Sequence, residues 1–513
     1  GRYAATRSTK ARERLTEMTP ALLQALAGSG NADAAFRAFD GLLKGLPAGV
    51  QLFSMLAANR QLLDLITRLL SVAPAVAETL VRRPGIVDAL IDPASYAQGA
   101  GDGDDRQRLA ESLDQARDFE DILNRVRLFV AENRFLISVR LLTLRIDAAQ
   151  AGRLFSALAE AAVDALFDAV EADFAQSHGR LPGGRAALLA FGRLGSCEMT
   201  AASDLDLIVV YDHDADATAS DGPRPLAPSQ YYTRLTQRLV AALSAPTGEG
   251  VAYEVDMRLR PSGRAGPLAT HIDSFTHYQT HDAWTWEHMA LVRARPICGD
   301  AELCRQIEKV IAKVLSRPRE EDALKRDIWE MREKVDAARG SADPWSLKMV
   351  RGGLVDLEFI AQYAVLAGLD RIAGEPTRRT LLRAAKAGIL ESAQAEQLDE
   401  AAILQNALFQ GLRVAAPGRF DPDSAPAALK DFLVGIAALP PPADNDQPVR
   451  SEPVETVIFK PPPGKPPAVK IFDELNIRLR DIQDTVFEIT ERILDQEGGE
   501  GPLHGRNGGD VAT

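Results

Sequence analysis

The sequence predicts a mostly helical α+β protein in which a small mixed sheet with flanking helices lies between helical regions. Apolar residues recur at helical spacing through the first 180 residues, as they do over 51–70. Between residues 185 and 258 the pattern changes to short apolar runs bounded by Gly, Ser and Asp, which is typical of strands. Helical spacing returns beyond residue 272 and continues to about residue 438.

Within this pattern, a long helix over 152–177 is expected to lead into strands at 185–195, 204–212 and 251–258. A polar loop and a helix near 229–244 separate the second strand from the third. We therefore divide the chain into six segments. They are a helical interdomain or regulatory region (1–150), a catalytic core (151–316), a helical domain that completes the site (317–440), a Pro-rich linker (441–469), a C-terminal helix (470–497) and a disordered tail (498–513).

The C-terminal helix carries an apolar stripe with alternating spacings of four and three residues. Its members are Leu475, Leu479, Ile482, Val486, Ile489 and Ile493. A stripe of this kind must be buried, either against the rest of this chain or against a partner.

Composition excludes several classes of protein. The net charge of −13 argues against broad nucleic-acid binding, which needs a basic surface. No apolar run is long enough to cross a membrane. The three cysteines are too few and too scattered for a disulfide framework, so we expect a cytoplasmic protein.

The second predicted strand carries two acids that share one face. Residues two apart in a strand point the same way, so Asp204 and Asp206 project together, with α-carbons about 7 Å apart. Leu205 and Leu207 face the opposite way, towards the core. Unpaired, the two carboxylates repel each other, whereas a divalent cation such as Mg²⁺ binds carboxylate and phosphate oxygens together.

Neighbouring residues extend this pattern. Asp256 in the third predicted strand supplies a third acid, and three acids can hold two metals around a phosphoryl displacement. Gly195 and Ser196 are expected to form a tight turn that binds phosphates. Arg258 and Arg260 are suited to neutralising triphosphate and pyrophosphate charge. The other interpretation is a strand end with solvated acids and surface arginines.

Four sequence blocks resemble the glutamine synthetase adenylyltransferase family, within the DNA polymerase β-like nucleotidyltransferase superfamily. The superfamily signature is Gly-Ser, then Asp-x-Asp, then a third acid. The blocks are GRLGSCEMTAASDLDLIVVYD (192–212), YEVDMRLRPSGRAGPLAT (253–270), AWTWEHMALVRARPICGD (283–300) and LKMVRGGLVDLEFIAQY (347–363).

The resemblance implies a polymerase β-like core and an enzyme that moves AMP from ATP to a tyrosine of glutamine synthetase. It implies Mg²⁺ bound by Asp204 and Asp206, with Asp256 as a further ligand or as the base for the tyrosine hydroxyl. Family members usually carry two such units, and this chain resembles the C-terminal, adenylyl-transferring one. The resemblance also implies glutamine and the PII signal protein as regulators.

Two alternatives stay open at this point. The chain could be the family's adenylyl-removing unit, which releases AMP by phosphorolysis, or a regulatory module that binds nucleotide or a signalling protein without turnover. The intact acids argue against the second. A polymerase-like or tRNA-modifying enzyme fits less well, because the chain lacks a basic stripe.

Other residues in the family blocks are secondary candidates. Lys348 could reach a phosphate. Asp356 and Glu358 point about 200° apart if a helix begins at Gly352-Gly353, so only one of them is expected to face the site. Glu198 could brace the turn or cap a helix. Trp284 and Trp286 are expected to be core residues rather than a platform for stacking a base.

Overall fold

The computed structural model describes most of the chain. The ranges are 3–29, 31–46, 48–83, 86, 105–416, 418–439 and 468–494. The predicted tail, and all but the last two residues of the predicted linker, lie outside them. None of the helices in these ranges combines the length and the apolarity that a membrane crossing needs.

Helices precede the sheet, as the sequence predicts. They are α1 (Thr9–Ala27), α2 (Ala32–Gly45), α3 (Val50–Ala58), α4 (Arg60–Val72), α5 (Pro74–Arg82), α6 (Asp105–Leu113), α7 (Phe119–Leu142) and α8 (Ala148–His178). Helix α8 contains the predicted 152–177 helix. It begins after a capping box in which Asp147 and Gln150 satisfy each other's backbone amides. It ends at Gly179, whose φ of 68° is readily adopted by glycine.

The sheet is small and mixed, as predicted. Its strands are β1 (Arg185–Ala190), β2 (Leu205–Asp212), β3 (Val255–Asp256), β4 (Ala269–His271) and β5 (Arg295–Gly299). Strand β1 pairs antiparallel with both β2 and β5, while β3 and β4 pair parallel with β2. Two predicted boundaries were wrong. The 185–195 strand ends at Ala190 because Gly192 begins a helical turn at φ 54°, and the 251–258 strand forms only two residues.

Each face of the sheet is covered by its own core. Leu205, Leu207 and Val209 of β2 are buried in the larger core, which also includes residues from the N-terminal helices and from the last helix. Ile208 and Val210, on the opposite face, belong to the smaller core. A strand buried on both faces is held rigidly, so β2 is a stable support for the acids at its start.

Helices also follow β1 and β2 and continue to the end of the described chain. They are α9 (Gly192–Gly195), α10 (Pro228–Ser244), α11 (Ile272–His277), α12 (Thr285–Val292), α13 (Ala301–Leu315), α14 (Glu321–Arg339), α15 (Leu354–Leu366), α16 (Thr377–Lys386), α17 (Ser392–Ala415), α18 (Ala427–Ala437) and α19 (Ala468–Leu494). Helix α19 is the predicted C-terminal helix.

The apolar stripe of α19 packs against this chain. Leu475, Leu479, Val486 and Ile489 are buried in the larger core. The side chain of Gln483 donates to the carbonyl of Pro344, which ties α19 to the segment that leads into α15. Of the two possibilities that the stripe left open, the structure shows the intramolecular one.

Replacing Leu479 with alanine should lower the free energy of unfolding by about 2–5 kcal/mol, because its side chain is fully buried and a cavity would remain. Urea denaturation measures the loss. Ile477→Ala is the matched control, since Ile477 lies two residues away on α19 and is 61% exposed. Its effect should stay within about 0.5 kcal/mol. Equal losses in the two variants would contradict this packing.

Candidate active site

Strands β2 and β3 place acids side by side. Asp206 pairs in register with Asp256 across the two parallel strands, and Asp204 immediately precedes β2. Neighbouring strands lie about 4.8 Å apart, so this register brings the acids together. Asp204 and Asp256 both act electrostatically on Asp206. Asp204 and Asp256 therefore lie close enough to influence Asp206 electrostatically, and the joint role of the three acids at a metal site stays a prediction.

The charge of this cluster is poorly compensated at Asp206. Burial, followed by the negative charges of Asp204 and Asp256, raises the pKa of Asp206 to about 6. Burial also acts to raise the pKa of Asp256, but hydrogen bonds from Arg258 outweigh it and the pKa is lowered. Asp206 therefore sits where a bound cation would be favourable.

The acids do not form a closed metal-binding cage. Among the residues that the structure describes, no group of three His, Cys, Asp or Glu side chains is arranged to hold a metal ion. Asp256 instead accepts hydrogen bonds from the backbone nitrogen and Nε of Arg258, at 2.8 and 2.7 Å. The donor set still suits Mg²⁺, which is usually held by one or two carboxylates together with substrate phosphates.

A glycine that was not predicted as a site residue lies against the acids. Gly192 begins the helical turn α9 at φ 54°, and a β-carbon at this residue would lie 2.1 Å from Oδ2 of Asp206. Only glycine lets the backbone of the turn approach the carboxylate this closely. The available signal was a glycine within an apolar run, which can mark a close approach of the backbone to another group.

Gly192→Ala should destabilise the protein more than Gly388→Ala, a substitution that causes backbone strain but no steric clash. Gly388→Ala is the control, because Gly388 has a φ of 76° but no atom lies within 4 Å of the place that an alanine β-carbon would take. The control should cost about 1–2 kcal/mol, and Gly192→Ala roughly 1–3 kcal/mol more because of the clash with Asp206. Urea denaturation measures both, and equal losses would argue against the close approach.

The turn at Gly195 and Ser196 is built differently from the expected open phosphate cradle. Gly195 packs against the carbonyl oxygen of Arg293, which a β-carbon would approach to 1.9 Å. Ser196 is buried, and its hydroxyl donates to the carbonyl of Gly192 and accepts a hydrogen bond from Nη2 of Arg293 at 2.7 Å. The contacts of these two residues with Arg293 and Gly192 stabilise the turn. Their role as phosphate ligands stays a prediction.

The two predicted arginines differ in their surroundings. Arg258 is 53% exposed, pairs with Asp256 and is also influenced by Asp204 and Asp206, so it lies at the site. Arg260 uses its guanidinium to hold its own loop, donating to the carbonyls of Met257, Arg264 and Gly266. The structure thus brings Arg258 to the acids and shows Arg260 holding its own loop, and the role of either residue in neutralising phosphate charge stays a prediction.

A buried network of charges supports the turn. Arg293 lies 2.8 Å from Glu358 and 3.4 Å from Glu198, and Arg193 lies 3.8 Å from Glu358. Burial acts to raise the pKa of Glu358, but the three cations around it, with Lys348 as the third, lower it. Neither arginine was predicted as a site residue, although both lie within the family blocks and Arg293 directly follows an apolar run.

Lys348 joins this network from the segment before α15. Burial lowers the pKa of its ammonium, Glu358 opposes that shift, and Asp206 also acts on it. Lys348 is therefore within electrostatic range of the acids, as a phosphate-binding lysine must be. Whether it binds phosphate stays a prediction.

Asp356 and Glu358 face different partners, in agreement with their expected angular separation. Asp356 is fully buried and is paired with Arg332, and it accepts a hydrogen bond from the backbone nitrogen of Gly352 at 2.7 Å. Glu358 faces Arg293 at the site. Glu198 links the turn to α16 by accepting hydrogen bonds from the backbone and the hydroxyl of Thr377.

These features define the class of the protein. A small mixed sheet that presents adjacent acids beside a glycine-initiated turn, with helices packed on both faces, is consistent with the core of a nucleotidyltransferase. The three cysteines are free, as the sequence predicts.

Comparison with known proteins gives the family. The family model for glutamate-ammonia ligase adenylyltransferase matches residues 63–310. The chain belongs to this family. It is 50% identical over 441 residues to the bifunctional glutamine synthetase adenylyltransferase/adenylyl-removing enzyme of Brucella suis, covering 86% of this chain and 45% of that protein.

Two further relatives carry the same name. The protein of Mesorhizobium japonicum is 48% identical over 444 residues, covering 86% of this chain and 45% of the relative. The protein of Rhizobium meliloti is 46% identical over 437 residues, covering 84% and 44%. The chain thus spans somewhat less than half the length of the curated relatives that it matches.

Proposed function

We propose that this chain transfers AMP from ATP to a tyrosine hydroxyl of glutamine synthetase, releasing pyrophosphate, and so regulates nitrogen assimilation. The observation that carries the proposal is the register of Asp206 with Asp256 beside the turn at Gly192. The names of the relatives and the family blocks support the choice of ATP and of glutamine synthetase.

In this reaction the tyrosine oxygen attacks the α-phosphorus, the bond between the α-phosphorus and the bridging oxygen breaks so that pyrophosphate leaves with that oxygen, and the phenol proton passes to water. Asp204 and Asp206 are the residues that would hold Mg²⁺, which when bound neutralises triphosphate charge. Asp256 has a lowered pKa, so a role in binding the metal suits it better than a role as the base. Arg258 and Lys348 supply positive charge within electrostatic range of the acids.

We propose further that the chain corresponds to the C-terminal, adenylyl-transferring unit and acts in the cytoplasm, with glutamine and the PII signal protein as regulators. The Trp-Thr-Trp-Glu-His block (284–288) and the helical stretch before the core support the choice of unit. The net charge of −13 supports a protein substrate rather than a nucleic acid.

The test uses purified glutamine synthetase, Mg²⁺ and ATP labelled at the α-phosphate. Incorporation of label into glutamine synthetase, with one pyrophosphate released for each AMP, supports the proposal. Phosphate-dependent loss of AMP from modified glutamine synthetase, without incorporation, identifies the adenylyl-removing unit instead. Binding of ATP with neither reaction indicates a regulatory module.

A further inference from the structure

Two tryptophans lie on the surface, contrary to the expectation that they belong to the core. Trp284 is 71% exposed and Trp286 is 38% exposed. The other two tryptophans are used for packing: Trp345 is buried and stacks on Phe472, and Trp329 packs against the smaller core. Because burying a large aromatic side chain is favourable, two tryptophans exposed within three residues of each other, unlike one isolated aromatic, indicate a surface for contact with another molecule.

The segment that carries the tryptophans is held in place before any contact is made. The buried carboxylate of Glu287 accepts a hydrogen bond from the backbone nitrogen of Trp284 at 2.9 Å and another from the hydroxyl of Tyr278 at 2.8 Å. The indole of Trp284 takes no part in these bonds. A side chain that is exposed on a fixed backbone loses little conformational entropy when it binds.

Two segments connect the backbone around the tryptophans to the candidate active site. Helix α12 begins at Thr285 and leads directly to Arg293, a distance of about 12 Å at 1.5 Å per residue. The backbone of Ser262, in the loop that follows Arg258, forms a hydrogen bond with the Tyr278 hydroxyl. The tryptophans therefore lie one short helix away from the network around Arg293, and Glu287 and Tyr278 link their segment to the loop that follows Arg258.

We propose that Trp284 and Trp286 form the docking surface for the acceptor protein, glutamine synthetase, and so bring its tyrosine to the acids. This inference rests on the proposed function. A single tyrosine offers too little area for stable recognition, so the enzyme must contact the acceptor outside the reacting residue. Exposed, pre-positioned tryptophans are typical of the few residues that dominate the energy of such contacts.

The experiment compares the Trp284→Ser/Trp286→Ser double variant with the wild-type chain. AMP transfer is measured as a function of glutamine synthetase concentration and, separately, of ATP concentration. We expect kcat/KM for glutamine synthetase to fall at least roughly tenfold while KM for ATP stays within about twofold. Phe36→Ser is the matched control, because Phe36 is 55% exposed on α2 and should change neither constant.

Other outcomes would overturn the inference. An unchanged kcat/KM for glutamine synthetase does so directly, and a rise only in KM for ATP would make the tryptophans a nucleotide platform instead. If the wild-type chain transfers no AMP at all, the proposed function fails, and surface plasmon resonance with immobilised glutamine synthetase still decides the docking surface. In that case the inference requires that the wild type and Phe36→Ser bind glutamine synthetase and that the double variant bind it at least roughly tenfold more weakly.

Discussion

Replacing Asp206 with asparagine is expected to reduce AMP transfer roughly a thousandfold or more while leaving the protein folded. The substitution keeps the shape of the side chain and removes the charge that would hold the metal ion, which contributes several kcal/mol to the transition state. Each loss of about 1.4 kcal/mol is a tenfold loss of rate. Incorporation of labelled AMP under saturating ATP measures the effect.

Asp212→Asn is the matched control for this variant. Asp212 lies on the same strand and on the same face as Asp206, but at the far end of β2, where it pairs with Arg185. Its substitution should leave AMP transfer within about threefold of the wild type, because Asp212 lies away from the acids. The protein should stay folded, because a partly exposed ion pair contributes little to folding stability. Retention of normal turnover by Asp206→Asn would remove the basis for the metal site.

Asp206→Asn should also stabilise the protein at neutral pH. The pKa of Asp206 is raised from 3.8 to about 6 in the folded protein, so its ionised form costs folding free energy. That cost is absent below pH 3.8, develops as the pH rises to about 6 and is complete above it. It amounts to roughly 2–3 kcal/mol at most, since one unit of pKa corresponds to about 1.4 kcal/mol.

Denaturation in urea across this range, without added metal, tests the pH dependence. The stability difference between Asp206→Asn and the wild type should be near zero below pH 4 and should grow in favour of the variant between pH 4 and 6.5. A difference that does not change with pH would show that neither burial nor the charges of Asp204 and Asp256 raise the pKa of Asp206 in the folded protein.

Arg293→Met is expected to cause the largest loss of stability among the substitutions considered, about 3–5 kcal/mol. Removing this cation leaves Glu358 buried without its closest ion-pair partner, with only the more distant Arg193 and Lys348 to compensate it, and a poorly compensated buried charge is strongly destabilising. The hydroxyl of Ser196 loses its hydrogen-bond donor as well. Unfolding in urea, monitored by circular dichroism, measures the loss.

A double variant separates stability from activity at this position. Glu358→Gln combined with Arg293→Met removes the buried carboxylate together with its closest cation and should restore part of the lost stability, limited by the loss of the ion pair between Arg193 and Glu358. AMP transfer should stay low because the turn has lost its support. Arg305→Met is the control, since Arg305 forms an exposed pair with Glu302 and should cost less than about 0.5 kcal/mol. A loss of less than about 1 kcal/mol in Arg293→Met would contradict the role of the network.

The sequence identified the acids because they form a local pattern. Alternation along one strand places Asp204 and Asp206 on one face and Leu205 and Leu207 on the other, and this requires no knowledge of the rest of the fold. The long helix before the sheet and the stripe of α19 were predicted for the same reason, since helical periodicity is a property of a short segment.

Residues distant in the chain had to be placed by the structure. Arg293 lies 97 residues from Ser196 along the chain, yet its guanidinium bonds that hydroxyl, and no periodicity connects the two. Strands β4 and β5 were missed because each is short and is stabilised by pairing with a neighbour rather than by its own pattern.

The sequence by itself determined the mostly helical class with a small sheet, the family and the two acids at the start of β2, because each depends on local spacing or on residue identity. Only the tertiary structure decided that Gly192 is the residue against Asp206, that Arg260 holds its own loop, and that Trp284 is exposed. These facts depend on which atoms meet across the fold, and packing between distant segments settles that.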